Sequence, residues 1–248
     1  MVRVNKKLHT TREWFNLFLE KLWLKSDNTG EDEARFLIRV LRLRKGDSVL
    51  DLPCGAGRIS FHLAAHGCRV TGIDINSGFV RRAIQRFKQF GLQGRFLVGD
   101  MRELDFNDAF DAAVVWQGSF GYFSDKDNID TIRRLARSLK PGGLLLVDQP
   151  NREHMLRNFI DTSSHGGITH RNRWNNRLER VESELTIHQD TNDTTCKSSI
   201  RLYTPKHMKV LFQKNGLCLQ RIYGSATGES YSRRSRRLIA LGKKQDSR

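Results

Sequence analysis

Apolar residues gather in two kinds of segment that alternate along the chain. Short, nearly continuous apolar runs lie at residues 48–52, 68–74, 94–101, 110–116 and 144–148, and four of them end at or beside an acid: Asp51, Asp74, Asp100 and Asp148. Runs of this length predict strands buried on both faces, as in a parallel sheet. Between and around them, residues 29–41, 59–66, 77–90, 128–139 and 205–214 place apolar positions at helical spacing. Thr204 with Pro205 predicts an N-cap and first helical position, and Gly67 and Gly216 predict stops. Residues 11–25, with Trp14, Phe15, Phe18, Leu22 and Trp23, predict a further amphipathic helix. From Gln149 the pattern changes. Residues 166–204 have no helical period and alternate instead, predicting antiparallel strands at 169–174, 178–188 and 195–203, with turns at 175–176 and 189–193. Two last strands are expected at 217–223 and 237–241. The series predicts an α/β fold with a β-rich insertion.

One stretch carries chemistry in its backbone. Val49-Leu50-Asp51-Leu52-Pro53-Cys54-Gly55-Ala56-Gly57-Arg58 reads as a strand, a tight glycine turn and the start of a helix, the opening of a nucleotide-binding unit. Gly55 and Gly57 lack Cβ, so the chain can turn sharply and a ligand can lie against it. The dinucleotide fingerprint wants a third small residue where Ser60 stands, and a pyrophosphate would be repelled by Asp51. A cationic ligand with an amino acid tail tolerates that carboxylate.

With Asp51, Gly55 and Gly57 in this register, the chain resembles the class I S-adenosylmethionine (SAM)-dependent methyltransferases, whose first motif reads acid-x-Gly-x-Gly-x-Gly. Pro53 stands where that motif often has its first glycine. The resemblance covers nearly the whole chain and is strongest over residues 47–148. Lys140-Pro141-Gly142-Gly143 is a second signature, with a structural role. Gly118-Ser119-Phe120-Gly121-Tyr122 resembles the loop of small-molecule N- and O-methyltransferases, including the glycine type. The [D/N/S]-P-P-[Y/F] loop of DNA amino-methyltransferases is absent.

The resemblance implies a Rossmann-like class I methyltransferase fold: a mostly parallel seven-stranded sheet with its last strand antiparallel, plus an antiparallel β insertion between strands 5 and 6. It implies one domain over residues 1–248, with N-terminal helices at 1–45 that can serve as a lid. A SAM-binding core follows at 47–148, then the β-rich insertion at 151–203 and a C-terminal helix and last strands at 204–248. The insertion either roofs the acceptor or forms a dimerisation or surface hairpin. The implied cofactor contacts are Asp51, Gly55, Gly57, Asp74, Ile75, Asp100, Met101 and Gln117. Asp74 lies about 20 residues beyond the glycines, where an acid accepts the ribose hydroxyls; its alternative is the N-cap of the next helix. Asp100 would accept from the adenine amino group; its alternative is a turn residue. Methyl transfer from a sulfonium needs position and a dry site more than a fixed catalyst. Acceptor-side candidates are Tyr122, Arg171, Trp174 and Tyr203, with Ser119 nearby, and with His170 and His188 as candidate bases. Phe120 and Phe123 are expected to pack.

Composition adds three constraints. The chain has 248 residues and no apolar run near the roughly 20 needed to span a bilayer. The basic start lacks an apolar stretch behind it, so no signal peptide is expected. The four cysteines are scattered, which predicts a reducing, cytoplasmic setting and no metal site. The formal charge of +16 admits a polyanionic partner, so an RNA (tRNA) or protein methyltransferase stands as the alternative to a small-molecule acceptor. The cations are spread out, and no aromatic-interleaved basic stripe favours nucleic acid. Ser60, Asp51 and Asp100 disfavour an NAD(P) oxidoreductase. Three acids along one sheet edge disfavour a binding module that has lost its cofactor. A monomer and a homodimer are both compatible with the sequence.

Overall fold

The computed structural model describes residues 30–188 and 193–245. The expected helix at 11–25, the boundary at Thr29 and the turn at 189–192 lie outside them. In chain order the elements begin with α1 (Gly30–Val40), β1 (Ser48–Asp51), α2 (Arg58–Ala65), β2 (Arg69–Asp74) and α3 (Ser77–Gln89). They continue with β3 (Gly94–Val98), β4 (Phe110–Val115), α4 (Asp125–Ser138), β5 (Leu139–Pro150) and α5 (Arg152–Arg157). The insertion then supplies β6 (Thr162–His165), β7 (Ile168–Asn175), β8 (Arg180–Ile187) and β9 (Thr194–Arg201), before α6 (Pro205–Gln213), β10 (Leu217–Tyr223) and β11 (Arg237–Lys244).

The main sheet has seven strands in the order β10-β11-β5-β4-β1-β2-β3. β1 to β5 pair in parallel, and β11 runs antiparallel to both its neighbours. Buried neighbours along a strand point to opposite faces, as the pleat requires. Leu50, Ala113, Val115, Leu145 and Val147 pack under α4 and α6, against Ile132, Leu135, Met208 and Phe212. Val49, Ala112, Val114 and Leu146 pack under α1 and α2, against Phe36, Leu37, Ile59 and Leu63. Both faces are covered, which is why these strands read as continuous apolar runs.

Several boundaries move for local reasons. α3 is capped by Asn76, whose side chain accepts from the amides of Gly78 (2.8 Å) and Phe79 (3.1 Å), so Asp74 is not its N-cap. α4 starts three residues before the expected Asn128, because Ser124 Oγ accepts from the Asp127 amide at 3.1 Å. Lys140-Pro141-Gly142-Gly143 is not a separate turn but an irregularity inside β5, where the register against β4 slips between Phe110 and Ala112. Thr204 and Pro205 begin α6 as expected. The insertion is an antiparallel sheet in the order β6-β7-β8-β9. β6 and α5 lacked a sequence signal. β6 is four exposed residues held by its pairing to β7, and α5 is six residues with none buried.

Candidate functional site

The carboxyl ends of β1, β2, β3, β4 and β5 bring the acids and the glycine turn to one edge of the sheet. Gly57, at φ +77°, precedes α2, and a Cβ there would stand 3.0 Å from the Ala83 Cβ of α3. Only glycine lets α2 and α3 approach this closely while the backbone is left-handed. Gly55, at φ +53°, has the opposite surroundings: a Cβ there would meet nothing within 4 Å. One glycine closes the turn and the other leaves open space beside it.

Asp74 holds this turn. Its Oδ2 accepts from the Gly55 amide at 2.9 Å and its Oδ1 from the Asn76 amide at 2.8 Å. Burial pushes its pKa up, against those amide hydrogen bonds. Each carboxylate oxygen keeps a second lone-pair direction. Ile75 follows at the strand end, half-buried. Asp51 is 2 % exposed, and burial pushes its pKa up to about 6. Its Oδ2 accepts from Ser60 Oγ at 2.6 Å. Ser60 thus fits the turn by bonding the acid of the same motif, a function that its mismatch to the dinucleotide pattern had hidden.

Asp100 caps a short 3-10 turn, Met101–Glu103, by accepting from the Arg102 amide at 2.9 Å. Arg102 also pairs with its carboxylate at 2.6 Å and lies over the Phe123 ring at 4.5 Å. Asp100 is therefore a turn residue as well as an acid on the edge, and the Met101 side chain packs into the core. Gln117, at φ +57°, opens the loop after β4 together with Gly118, at φ +69°. The Gly118 amide donates to Asp148 Oδ2 at 3.2 Å. Ser119 Oγ turns back to the Trp116 carbonyl at 2.8 Å.

The acceptor-side candidates separate. Tyr122 packs against the insertion's apolar cluster of Leu185, Ile187 and Cys196, and burial pushes its phenol up to about 12. Tyr122 and Arg171 share an open cavity of about 670 Å³, lined also by Asn172, Ser183, Ser198 and Lys197. Arg171 is exposed and pairs with Glu184 at 3.6 Å. Trp174 lies under the Arg152 guanidinium, 5.0 Å from its ring centre, and does not line this cavity. Tyr203 is built into the main core, its ring 5.3 Å from Phe120, and is not brought to the cavity. Phe120 packs fully and Phe123 partly. His170 is lowered by burial, whereas His188 bonds Thr169 and Asp193 on an exposed part of the insertion.

The loop after β4 is tied to the insertion. Arg180 donates to the carbonyls of Gly121 and Phe123, and the Arg201 amide donates to Gly121 O at 2.8 Å. A Cβ on Gly121 would stand 2.4 Å from the Arg201 carbonyl oxygen, so this contact needs glycine. Two polar atoms at the sheet edge, Trp116 Nε1 and Arg58 Nη1, are buried without a hydrogen-bond partner among the described residues. Buried donors left in this state are costly unless a ligand or water completes them.

Residues 49–143 match the family model described as a methyltransferase domain. Over that span the chain is similar to a methyltransferase domain. A putative methyltransferase of Bacillus subtilis, YqeM, is 42% identical over 102 residues, covering 40% of this chain and 41% of that protein. The glycine/sarcosine N-methyltransferase of Halorhodospira halochloris is 29% identical over 161 residues, covering 62% and 60%. The chain thus spans about two fifths and three fifths of these relatives. A crystal structure of a SAM-dependent methyltransferase from Clostridium acetobutylicum superposes with a TM-score of 0.75 at 17% identity, covering 92% of this chain and 96% of that one. Its likeness establishes the class I fold, including the single antiparallel strand. The matched span contains the open space at Gly55, the glycine turn held by Asp74 and the acids Asp51, Asp74 and Asp100. No helix among the described residues is long and apolar enough to cross a membrane.

Proposed function

We propose that the protein transfers the methyl group of SAM to a nitrogen or oxygen of a small hydrophilic acceptor and releases S-adenosylhomocysteine. The observation that carries this reading is the cradle itself: an open glycine turn whose Gly55 amide is held by the acid of the next strand. In this reading Asp74 and Ile75 take the ribose, Asp100 and Met101 the adenine, and Gly55, Gly57 and Gln117 line the methionine end. Asp51 acts from behind the turn through Ser60. Arg58 Nη1, buried without a partner among the described residues, supplies a donor for a carboxylate.

SAM supplies an activated methyl group on a sulfonium. The lone pair of the acceptor forms the new bond as the carbon–sulfur bond breaks and its electron pair returns to sulfur. The proton lost by an amine or hydroxyl goes to water or to a base. His170, whose pKa burial lowers, is neutral at pH 7 and able to accept it. Tyr122 keeps its proton there and can only orient. The polar lining of the cavity beside Tyr122 suits a hydrophilic acceptor. The Gly118–Tyr122 loop and the glycine/sarcosine relative tilt the acceptor atom to nitrogen. This reading includes the insertion as roof, a cytoplasmic setting, and a monomer or homodimer.

The test is transfer of labelled methyl from SAM to a panel of small amines, amino sugars and phenols, with bulk tRNA alongside. Label in an amine or hydroxyl compound supports the reading. Label in tRNA alone, with a steep salt dependence, would replace it with the nucleic acid alternative.

A further inference from the structure

Arg237 begins β11, and its guanidinium reaches three side chains at the sheet edge: Asp148, Trp116 and Glu33. Nε donates to Asp148 Oδ1 at 2.8 Å and Nη2 to Oδ2 at 2.5 Å, a two-pronged grip. The guanidinium carbon lies 4.2 Å from the centre of the Trp116 ring. Nη1 is 3.4 Å from Glu33 of α1, and the other oxygen of Glu33 takes Arg58 at 2.6 Å. Asp148 in turn accepts from the Gly118 amide. Gln117 and Gly118 are two consecutive left-handed residues, and the amides of both face the Asp148 carboxylate. Gln117 holds this conformation at a cost that a non-glycine residue bears only when its surroundings fix it.

We infer that Arg237 is a positioning residue for methyl transfer: by gripping Asp148 it fixes the Gln117-Gly118 turn, and so aims the loop that carries Gln117 and Tyr122 at the methyl donor. This rests on the methyltransferase reading. Asp148 is 2 % exposed, and its burial favours the protonated form. Arg237 is the charged group that faces it, with Glu33 and Arg58 behind. Without the guanidinium, burial pushes Asp148 further toward its protonated form, in which one of its oxygens becomes a donor. The Gly118 amide then faces a poorer acceptor, and the turn loses the charge that holds it. Arg237 also links α1 to the loop after β4: Glu33 and Trp116 both meet this side chain, and Glu33 in turn takes Arg58, the residue after the glycine turn.

The test is titration of S-adenosylhomocysteine into the wild type, Arg237→Met and Arg237→Lys from pH 6 to pH 9, with hydrogen exchange of the 117–123 segment in each. The wild type is expected to bind with a flat pH profile. Arg237→Met is expected to bind about tenfold more weakly near pH 6.5, the loss of one oriented hydrogen bond. The deficit should shrink as pH rises, and the 117–123 segment should exchange faster. Arg237→Lys keeps the charge without the fork, and is expected within about threefold of the wild type with a flat profile. Equal binding by wild type and Arg237→Met at every pH, with unchanged exchange, would overturn the role. If Arg237→Met does not fold, Arg237→Gln takes its place, and wild-type affinity at every pH with unchanged exchange over 117–123 in that variant would overturn the role. If the wild type itself fails to bind, the methyltransferase reading falls, and this role falls with it.

Discussion

Replacing Asp51 with asparagine is expected to stabilise the protein at neutral pH. Asp51 is buried at the end of β1, and its pKa rises from the ordinary 3.8 to about 6, chiefly by loss of water. At about 1.4 kcal/mol per pKa unit, keeping it charged in the folded state costs about 3 kcal/mol. The sign follows from proton binding. Between about pH 4 and pH 6 the folded state holds this proton more tightly than the unfolded chain, so wild-type stability falls as pH rises through that window. An asparagine keeps a carbonyl oxygen for the Ser60 hydroxyl and carries no charge. The charge of Arg58 is already within that net shift, and the two amide hydrogens that asparagine brings into the buried site trim the gain to about 1–3 kcal/mol. For a chain of this size that is about 3–10 °C in melting temperature. The assay is calorimetric or fluorescence melting of both proteins from pH 4 to pH 8. Equal stability near pH 4 and a growing advantage for Asp51→Asn to about pH 7 are expected. A variant less stable than the wild type at pH 7, or a difference that does not change with pH, would refute the burial argument. A carboxylate that lowers stability and is still present points to a functional constraint, so the same variant is expected to bind S-adenosylhomocysteine more weakly.

Three further outcomes follow from the geometry. Gly57→Ala puts a Cβ 3.0 Å from Ala83 in a left-handed residue, so a loss of at least about 1–2 kcal/mol is expected in urea unfolding, together with loss of cofactor binding. Asn76→Ala removes the cap of α3 and is expected to cost about 1 kcal/mol in the same measurement, leaving the amides of Gly78 and Phe79 to water. Arg180→Ala and Arg171→Ala should differ sharply. Arg180 is mostly buried and holds the carbonyls of Gly121 and Phe123, so its loss is expected to exceed about 2 kcal/mol. Arg171 is exposed and its loss should stay within about 0.5 kcal/mol, with any fall in methyl transfer then reporting contact with the acceptor.

The fold was legible where burial on both faces leaves a continuous apolar run. Val49 to Asp51, Val70 to Asp74 and Phe110 to Val115 announced parallel strands because most of their positions are apolar on both faces. The ends of those runs marked the functional edge, since Asp51, Asp74 and Asp100 come to it as the strand ends require. What stayed hidden depends on pairing across the sequence. Ser60 looked like a flaw in a glycine pattern until Asp51 was seen to accept its proton. Asp148 ended a strand in the same way as Asp51 and Asp74, yet its role needed Arg237, 89 residues away. Tyr203 looked like a polar aromatic at the mouth of an insertion, but its ring lies against Phe120. β6 and α5 are short and exposed, so no periodicity could reveal them.

The central claim is that the turn at Gly55 and the acid at Asp74 form a SAM cradle. Isothermal titration of S-adenosylhomocysteine into the wild type and into Asp74→Asn tests it most directly, with melting curves to show that both are folded. Micromolar binding by the wild type, weakened at least about tenfold in the variant, is the expected result. A folded wild type that does not bind, or equal binding by the two, would contradict it.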